Sequence, residues 1–201
     1  MRFIDKTAIV TGSRGSGLAV AYGFSREGGQ VVIAARDSRW GEAAALQVKG
    51  ARFIQTNVSQ ARQARSLVEK VLADFGHIDI LVNNAGIHGG ASFTDESEAL
   101  WDDMYRTNVL GTVFVSQSVV PAMIRQGGGR IVHVASKAGI VREPGHAAYS
   151  ASRGAAVALT RAMAIELAPQ HITVNAVCPG PVMTDMLLAA VPNPAERDAP
   201  R

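Results

Sequence analysis

Two groups of residues in this chain have types and spacings that could do chemistry. The first is the run Thr11-Gly12-Ser13-Arg14-Gly15-Ser16-Gly17. Glycines let a backbone turn sharply and approach a pyrophosphate closely. A helix starting there offers unpaired N–H groups and the positive end of its dipole to the anion. The second group is Tyr149 and Arg153. Residues four apart on a helix share a face. A free tyrosine, with a pKa of about 10, is a poor base at neutral pH, and a neighbouring cation favours its phenolate. Taken singly, a glycine cluster also fits an ordinary strand–helix turn. A lone tyrosine also fits a packed aromatic with its hydroxyl satisfied.

The elements that must position these residues weigh between the readings. Short apolar runs alternate with longer helical patterns. Strands are expected at 7–11, 30–35, 52–56, 78–83, 130–135 and 172–177. Helices are expected at 15–28, up to about Lys49, and at 60–75, 96–126 and 149–168, the last stopped by Pro169. The strands are continuous runs of Val and Ile, such as Gln30–Ala35, rather than alternating patterns. That marks strands covered on both faces, as in a parallel sheet. Strand–helix repetition then builds right-handed βαβ units. The expected fold is α/β: a Rossmann-type doubly wound parallel sheet in three αβα layers, short at its C-terminal end. Ligands of such sheets sit beyond the carboxyl ends of the strands, and the glycine run lies at the end of the first. Residues 1–184 read as one dinucleotide-binding domain that includes the catalytic residues. Past Thr184 the chain turns Ala/Pro-rich and polar, so 185–201 reads as a flexible segment.

The end of the second strand speaks to the cofactor. A carboxylate there would bond the adenosine ribose hydroxyls, but the strand ends in Ala35 followed by Arg36. Arginine suits a 2′-phosphate, and Arg14 in the glycine turn could reach the same group. NADP is expected over NAD, with NAD as the alternative and solvated surface charge as the bland reading of each arginine. Asp37 is one residue late and is expected to point away.

Composition bounds the rest. A chain of 201 residues with 47% hydrophobic and 18% charged residues buries a core and is not disordered. The net charge is +3, but basic residues are scattered singly and aromatics are 5%, which argues against nucleic acid. One cysteine, Cys178, forms no intrachain disulfide and fits a reducing compartment. No signal-peptide pattern opens the chain and no apolar run reads as long enough to span a bilayer, so a soluble cytoplasmic protein is expected. The five histidines lack metal-ligand spacing, and no metal is expected. His146 and Arg142 read as surface-loop residues, with substrate contact as the alternative. The helix at 149–168 is apolar nearly all round and is expected to be buried on more than one side.

Gly12, Gly15-Ser16-Gly17, Asn57-Val58, Asn83-Asn84-Ala85-Gly86, Asn108, Ser136, Tyr149 and Pro179-Gly180 occur in an order that resembles the short-chain dehydrogenase/reductase family. The resemblance covers the chain to about Thr184 and is closest to bacterial ketoreductases and to sugar or alcohol dehydrogenases. It implies that Tyr149 is the general acid, that Ser136 polarises and positions the carbonyl oxygen, and that Asn108 supports a proton-relay water. It places Asn57 and Val58 beside the adenine and Asn83, Ala85 and Gly86 on the ribose side. Pro179, Gly180, Val182 and Thr184 would hold the nicotinamide carboxamide and phosphates. Ser13 and Arg14 complete the phosphate turn. The implied activity is hydride transfer between NADP(H) and a ketone or secondary alcohol, by a homodimer or homotetramer.

Three departures from the family pattern stand out. Arg153 replaces the lysine of Tyr-x-x-x-Lys, and its planar guanidinium is aimed differently from an ammonium. Two residues rather than three separate Gly12 from Gly15. The resemblance implies that 185–201 is a truncated substrate-lid segment, where the family pattern continues with a further helix and a seventh strand. They leave a rival reading: a catalytically impaired relative serving as a dinucleotide-binding or protein-interaction module.

Overall fold

Val31, Val32, Ile33 and Ala34 are each at most 1% exposed, so the second apolar run is covered on both faces. Among the described residues the sheet has six strands: β1 (Thr7–Thr11), β2 (Gln30–Ala35), β3 (Arg52–Gln55), β4 (Ile80–Asn83), β5 (Gly129–Val134) and β6 (Ile172–Val177), with β1 and β4 buried like β2, and with β3, β5 and β6 partly exposed. A computed structural model describes residues 1–141 and 144–190. All five strand pairings are parallel, in the order β3-β2-β1-β4-β5-β6. Order reverses between β1 and β4, and such a switch point opens a crevice at the strands' carboxyl ends.

Helices cover both faces: α1 (Ser16–Arg26), α2 (Ser38–Gln47), α3 (Ala61–Phe75), α4 (Glu98–Met104), α5 (Gly111–Arg125), α6 (Ala147–Leu167) and α7 (Asp185–Ala190). One apolar layer joins Ile9, Leu81 and Ile131 of the sheet to Leu67 and Val71 of α3 and Val115 and Val119 of α5. The opposite layer joins Val10, Ile33 and Val82 to Ala21 of α1 and Ala44 of α2. This is the three-layer doubly wound fold expected from the sequence.

Three local differences matter for the site. The helix expected at 96–126 is not one regular helix. Ser97 starts α4 by accepting a hydrogen bond from the Leu100 N–H at 3.2 Å. The wider turn of a π-helix then occupies Tyr105–Leu110 before α5 resumes. That turn carries the buried Asn108, and π-bulges of this kind cluster at functional positions. Secondly, α6 begins at Ala147, two residues before Tyr149, with the Ala148 N–H donating to Glu96 Oε2 at 3.0 Å.

The third difference falls at the start of 185–201, where the sequence suggests no regular element. Residues Asp185–Ala190 are helical. Thr184 starts this helix: its Oγ1 accepts from the Leu187 N–H at 3.4 Å and its carbonyl from Leu188 at 2.9 Å. A threonine followed by an acidic residue is an N-terminal helix signal that outweighs the polar composition beyond it. Residues 191–201, the rest of the expected lid, lie outside the described residues, as does Arg142.

The expectation that no apolar run is long enough for a bilayer also needs correction. The helical stretch Glu98–Arg125 is long and apolar enough by length and composition alone, an 18-residue window of it having mean hydropathy 1.3. Its buried positions, including Val115, Val119 and Met123, belong to the core layer under the sheet. That is the packing of a core helix.

Candidate active site

The glycine turn is locked to the end of β4. Thr11 Oγ1 accepts from the backbone N–H groups of Asn84 and Ala85, both at 2.9 Å. Asn84 Nδ2 donates to the Thr11 carbonyl at 3.0 Å, and Ser16 Oγ donates to Asn84 Oδ1 at 2.8 Å. A Cβ on Gly17 would lie 2.5 Å from the Gly12 carbonyl and 2.6 Å from Asn84 Nδ2, so no larger residue fits there. Gly12, at φ +93°, turns the chain, and Gly15, at φ +53°, starts α1 with no side chain capping it. An uncapped helix N-terminus beyond a strand end fits the phosphates of a dinucleotide. The turn closes although it has one residue fewer than the family pattern, with Gly17 N–H donating to the Arg14 carbonyl at 3.1 Å. Ser13 is buried in it.

At the adenosine end, Arg36 is exposed beyond β2. Asp37 Oδ1 instead accepts from the Trp40 N–H at 3.1 Å, so this carboxylate caps α2. Arg14 lies over the Trp40 ring, its Cζ 4.4 Å from the centroid, and pairs with Asp185. Arg14 is thereby held against the first turn of α2, the helix that follows the β2 end and Arg36.

Several residues expected to line the cofactor have side chains already engaged elsewhere. Asn57 Oδ1 accepts from the Ser59 N–H and hydroxyl, at 3.1 and 2.7 Å. Val58 is buried in the core, and a Cβ on Gly111 would come within 2.8 Å of it. Asn83 Nδ2 donates to Ser116 Oγ at 2.9 Å, inside the fold. The side chains of Val58 and Asn83 are thus committed to the interior of the fold. On the other wall, Lys137 N–H donates to the Pro179 carbonyl at 2.8 Å, which fixes the Pro179-Gly180 segment to the loop carrying Ser136. Val182 is exposed beyond it, and the Thr184 methyl lies against Gly15, 2.8 Å from where a Cβ would be.

Ser136 sits just past β5 in extended backbone, its Oγ accepting from the Ala138 N–H at 3.2 Å. Tyr149 is 8% exposed and packs with Met104, Ala138 and Ala148. Its ring meets the edge of His88 at 4.6 Å, and His88 in turn meets His146 at 4.8 Å. Arg153, 6% exposed, has its Cζ 5.2 Å from the Tyr149 ring centroid. Its Nη1 donates to the Val134 carbonyl at 3.2 Å, while its buried Nε has no partner. Gly86 leaves room for this guanidinium, since a Cβ there would lie 2.3 Å from Nη2.

Asn108 ties these pieces together. Its Oδ1 accepts from the Ile87 N–H at 2.8 Å, and its Nδ2 donates to the Ile87 carbonyl and to Ser152 Oγ, both at 3.0 Å. Ser152 Oγ donates to the Tyr149 carbonyl at 2.7 Å. Asn108 therefore joins the loop after β4 to the helix that carries Tyr149.

The match to the short chain dehydrogenase family covers residues 6–194. The chain belongs to that family. As a short-chain dehydrogenase it is an oxidoreductase acting on C=O and CH–OH groups. It is 36% identical over 189 residues to the 3-oxoacyl-[acyl-carrier-protein] reductase FabG of Staphylococcus epidermidis, covering 91% of this chain and 78% of that one. It superposes on actinorhodin polyketide ketoreductase with NADPH at TM-score 0.90 and 36% identity, over 92% of this chain and 74% of that one. It superposes on NAD⁺-bound xylitol dehydrogenase at TM-score 0.91 and 35% identity, over 99% and 79%.

Within this short-chain dehydrogenase, some residues that build the site have no role assigned to them from sequence. Asn84 and Thr11 clamp the glycine turn, Ser152 links Asn108 to Tyr149, and Asp185 pairs with Arg14. Asn84 had a signal, since it sits inside the Asn83–Gly86 run at a strand end. Asp185 had none, because its partner is 171 residues away.

Proposed function

We propose that this chain is an NADP(H)-dependent ketoreductase that interconverts a ketone and a secondary alcohol. The observation that carries the reading is that the Arg153 guanidinium lies over Tyr149, that Asn108 reaches the Tyr149 helix through Ser152, and that Ala138, whose N–H donates to Ser136 Oγ, packs on Tyr149. Gly12, Ser13, Gly15, Ser16 and Gly17 hold the pyrophosphate, and Arg14 and Arg36 favour a 2′-phosphate over a ribose hydroxyl. Asn57, Val58, Asn83, Ala85 and Gly86 form one wall of the cofactor channel, and Pro179, Gly180, Val182 and Thr184 the other. When bound, the nicotinamide gives or takes the hydride.

The protein's own groups handle the oxygen. Ser136 Oγ accepts one backbone N–H and keeps its proton free to donate to a carbonyl oxygen. Tyr149 transfers a proton to that oxygen in reduction and removes it in oxidation. The Arg153 guanidinium supplies positive charge at the tyrosine ring. Asn108 acts by holding the 87 loop and α6 in register. The relatives' names, a 3-oxoacyl reductase and a polyketide ketoreductase, support a carbonyl substrate and reduction as the working direction. Residues 1–184 act as the dinucleotide-binding and catalytic domain. The enzyme works as a soluble cytoplasmic homodimer or homotetramer.

A second reading rests on Arg153 alone. Its charge lies over the tyrosine ring, with one nitrogen spent on the Val134 carbonyl, rather than ending in a mobile ammonium. In that reading the chain binds cofactor and turns over slowly or not at all. Titration with NADPH and NADH, followed by a ketone and alcohol panel on the same preparation, separates the two. NADPH binding with NADPH oxidation supports the ketoreductase. NADPH binding without turnover over the whole panel supports the impaired relative.

A further inference from the structure

We infer that Asp185 is a cofactor-selectivity residue, an internal carboxylate that occupies Arg14 until a 2′-phosphate displaces it. The inference rests on the NADP(H) reading and adds a regulator to it. Arg14 lies in the glycine turn with its guanidinium stacked on Trp40, Cζ 4.4 Å from the ring centroid. Its Nε donates to Asp185 Oδ2 at 2.9 Å, and its Nη2 donates to the same oxygen. Both donors on that edge of the fork are therefore engaged by an anionic oxygen, the type of acceptor a phosphate would supply. Asp185 opens α7 directly after Thr184, whose methyl lies against Gly15. The segment leaving the β6 end thus crosses the glycine turn and delivers its carboxylate to the adenosine side.

Three consequences follow from charge alone. The carboxylate competes with a 2′-phosphate for the same two donors. It does not compete with the neutral ribose hydroxyl of NADH, which has no need of Arg14. Its repulsion of the pyrophosphate acts on both cofactors and cancels from their ratio. Asp185 therefore lowers the preference for NADPH below what Arg14 and Arg36 would give unaided. The pair is exposed, with side chains 47% and 60% accessible, so its strength is that of a surface ion pair. Freeing Arg14 from such a pair should change apparent affinity by about 1.5- to 5-fold. The Trp40 ring holds the guanidinium in place when the carboxylate leaves.

The test is calorimetric titration of the wild type, Asp185→Asn, Asp185→Glu and Arg14→Ala with NADPH and with NADH. The expected result is that Asp185→Asn raises the ratio of NADH to NADPH dissociation constants by about 1.5- to 5-fold. Asp185→Glu should stay near the wild type because it keeps the charge. Added salt should shrink the difference between Asp185→Asn and wild type, since the pair is exposed. A ratio unchanged in Asp185→Asn, while Arg14→Ala still costs NADPH affinity, overturns the role of Asp185 and leaves the NADP(H) reading standing. Equal binding of both cofactors by the wild type, unaltered in Arg14→Ala, overturns the NADP(H) reading and this inference with it.

Discussion

His133 offers a direct check on how α6 is held to the sheet. It lies in β5, paired in register with Asn83, and is 1% exposed. Its Nδ1 is 2.9 Å from Thr160 Oγ1 on α6, the helix that carries Tyr149 and Arg153, and its buried Nε2 has no partner. Burial lowers its pKa from 6.5 to about 4. In the unfolded chain the ring takes a proton near 6.5, whereas the folded protein resists it until about 4. Between those values the unfolded state holds more protons, so stability contributed by the neutral ring is full above 6.5 and is lost as pH falls. At about pH 5 the loss is on the order of 2 kcal/mol, rising to about 3 kcal/mol below the folded pKa. His133→Phe removes the titrating group and keeps a ring of similar shape. Thr160 retains its bond to the Ala156 carbonyl at 2.7 Å. Urea unfolding of both proteins at about pH 7.5 and about pH 5 measures the effect. The stability difference between wild type and variant should move by about 2 kcal/mol in favour of the variant on acidification. A difference that stays constant with pH would refute the buried, neutral imidazole between β5 and α6.

Two further outcomes probe the site itself. Gly86→Ala would place a Cβ 2.3 Å from Arg153 Nη2 and 3.0 Å from Asn108 Oδ1. Such overpacking should cost about 1–3 kcal/mol in urea unfolding and lower turnover with it, and an unchanged unfolding midpoint would mean the guanidinium is not seated there. Arg153→Lys gives up the bond to Val134 but removes the unpartnered Nε, so its stability should change by less than about 1 kcal/mol. Its kcat should rise about tenfold, a barrier change of about 1.4 kcal/mol, and an equal or lower kcat would show that arginine serves Tyr149 as well as lysine does.

Much of the fold was legible because its signals are local. The unbroken Val/Ile runs marked β1, β2, β4, β5 and β6, and the glycine turn after β1 marked the ligand-binding end. The π-turn at Tyr105–Leu110 was not legible, because what stabilises it is distant: Asn108 bonds to Ile87 and Ser152 across the fold. The helical start at Thr184–Asp185 was masked by the polar, proline-rich composition that follows. Within the site, residue type pointed to Tyr149 and Arg153, but only the packed structure puts the guanidinium over the ring. The side chains of Val58 and Asn83 show the opposite limit. They lie at the strand ends where a ligand is expected, yet the core and Ser116 claim them.

The central claim is that Tyr149 moves the proton to and from the substrate oxygen. Its ring is held by His88 and Arg153, so Tyr149→Phe removes one hydroxyl and leaves that packing in place. NADPH oxidation with a ketone substrate, measured alongside NADPH binding, tests the claim most directly. The account predicts that kcat falls by about 10²–10⁴ while the NADPH dissociation constant changes by less than about threefold. Turnover within a few-fold of the wild type would contradict it.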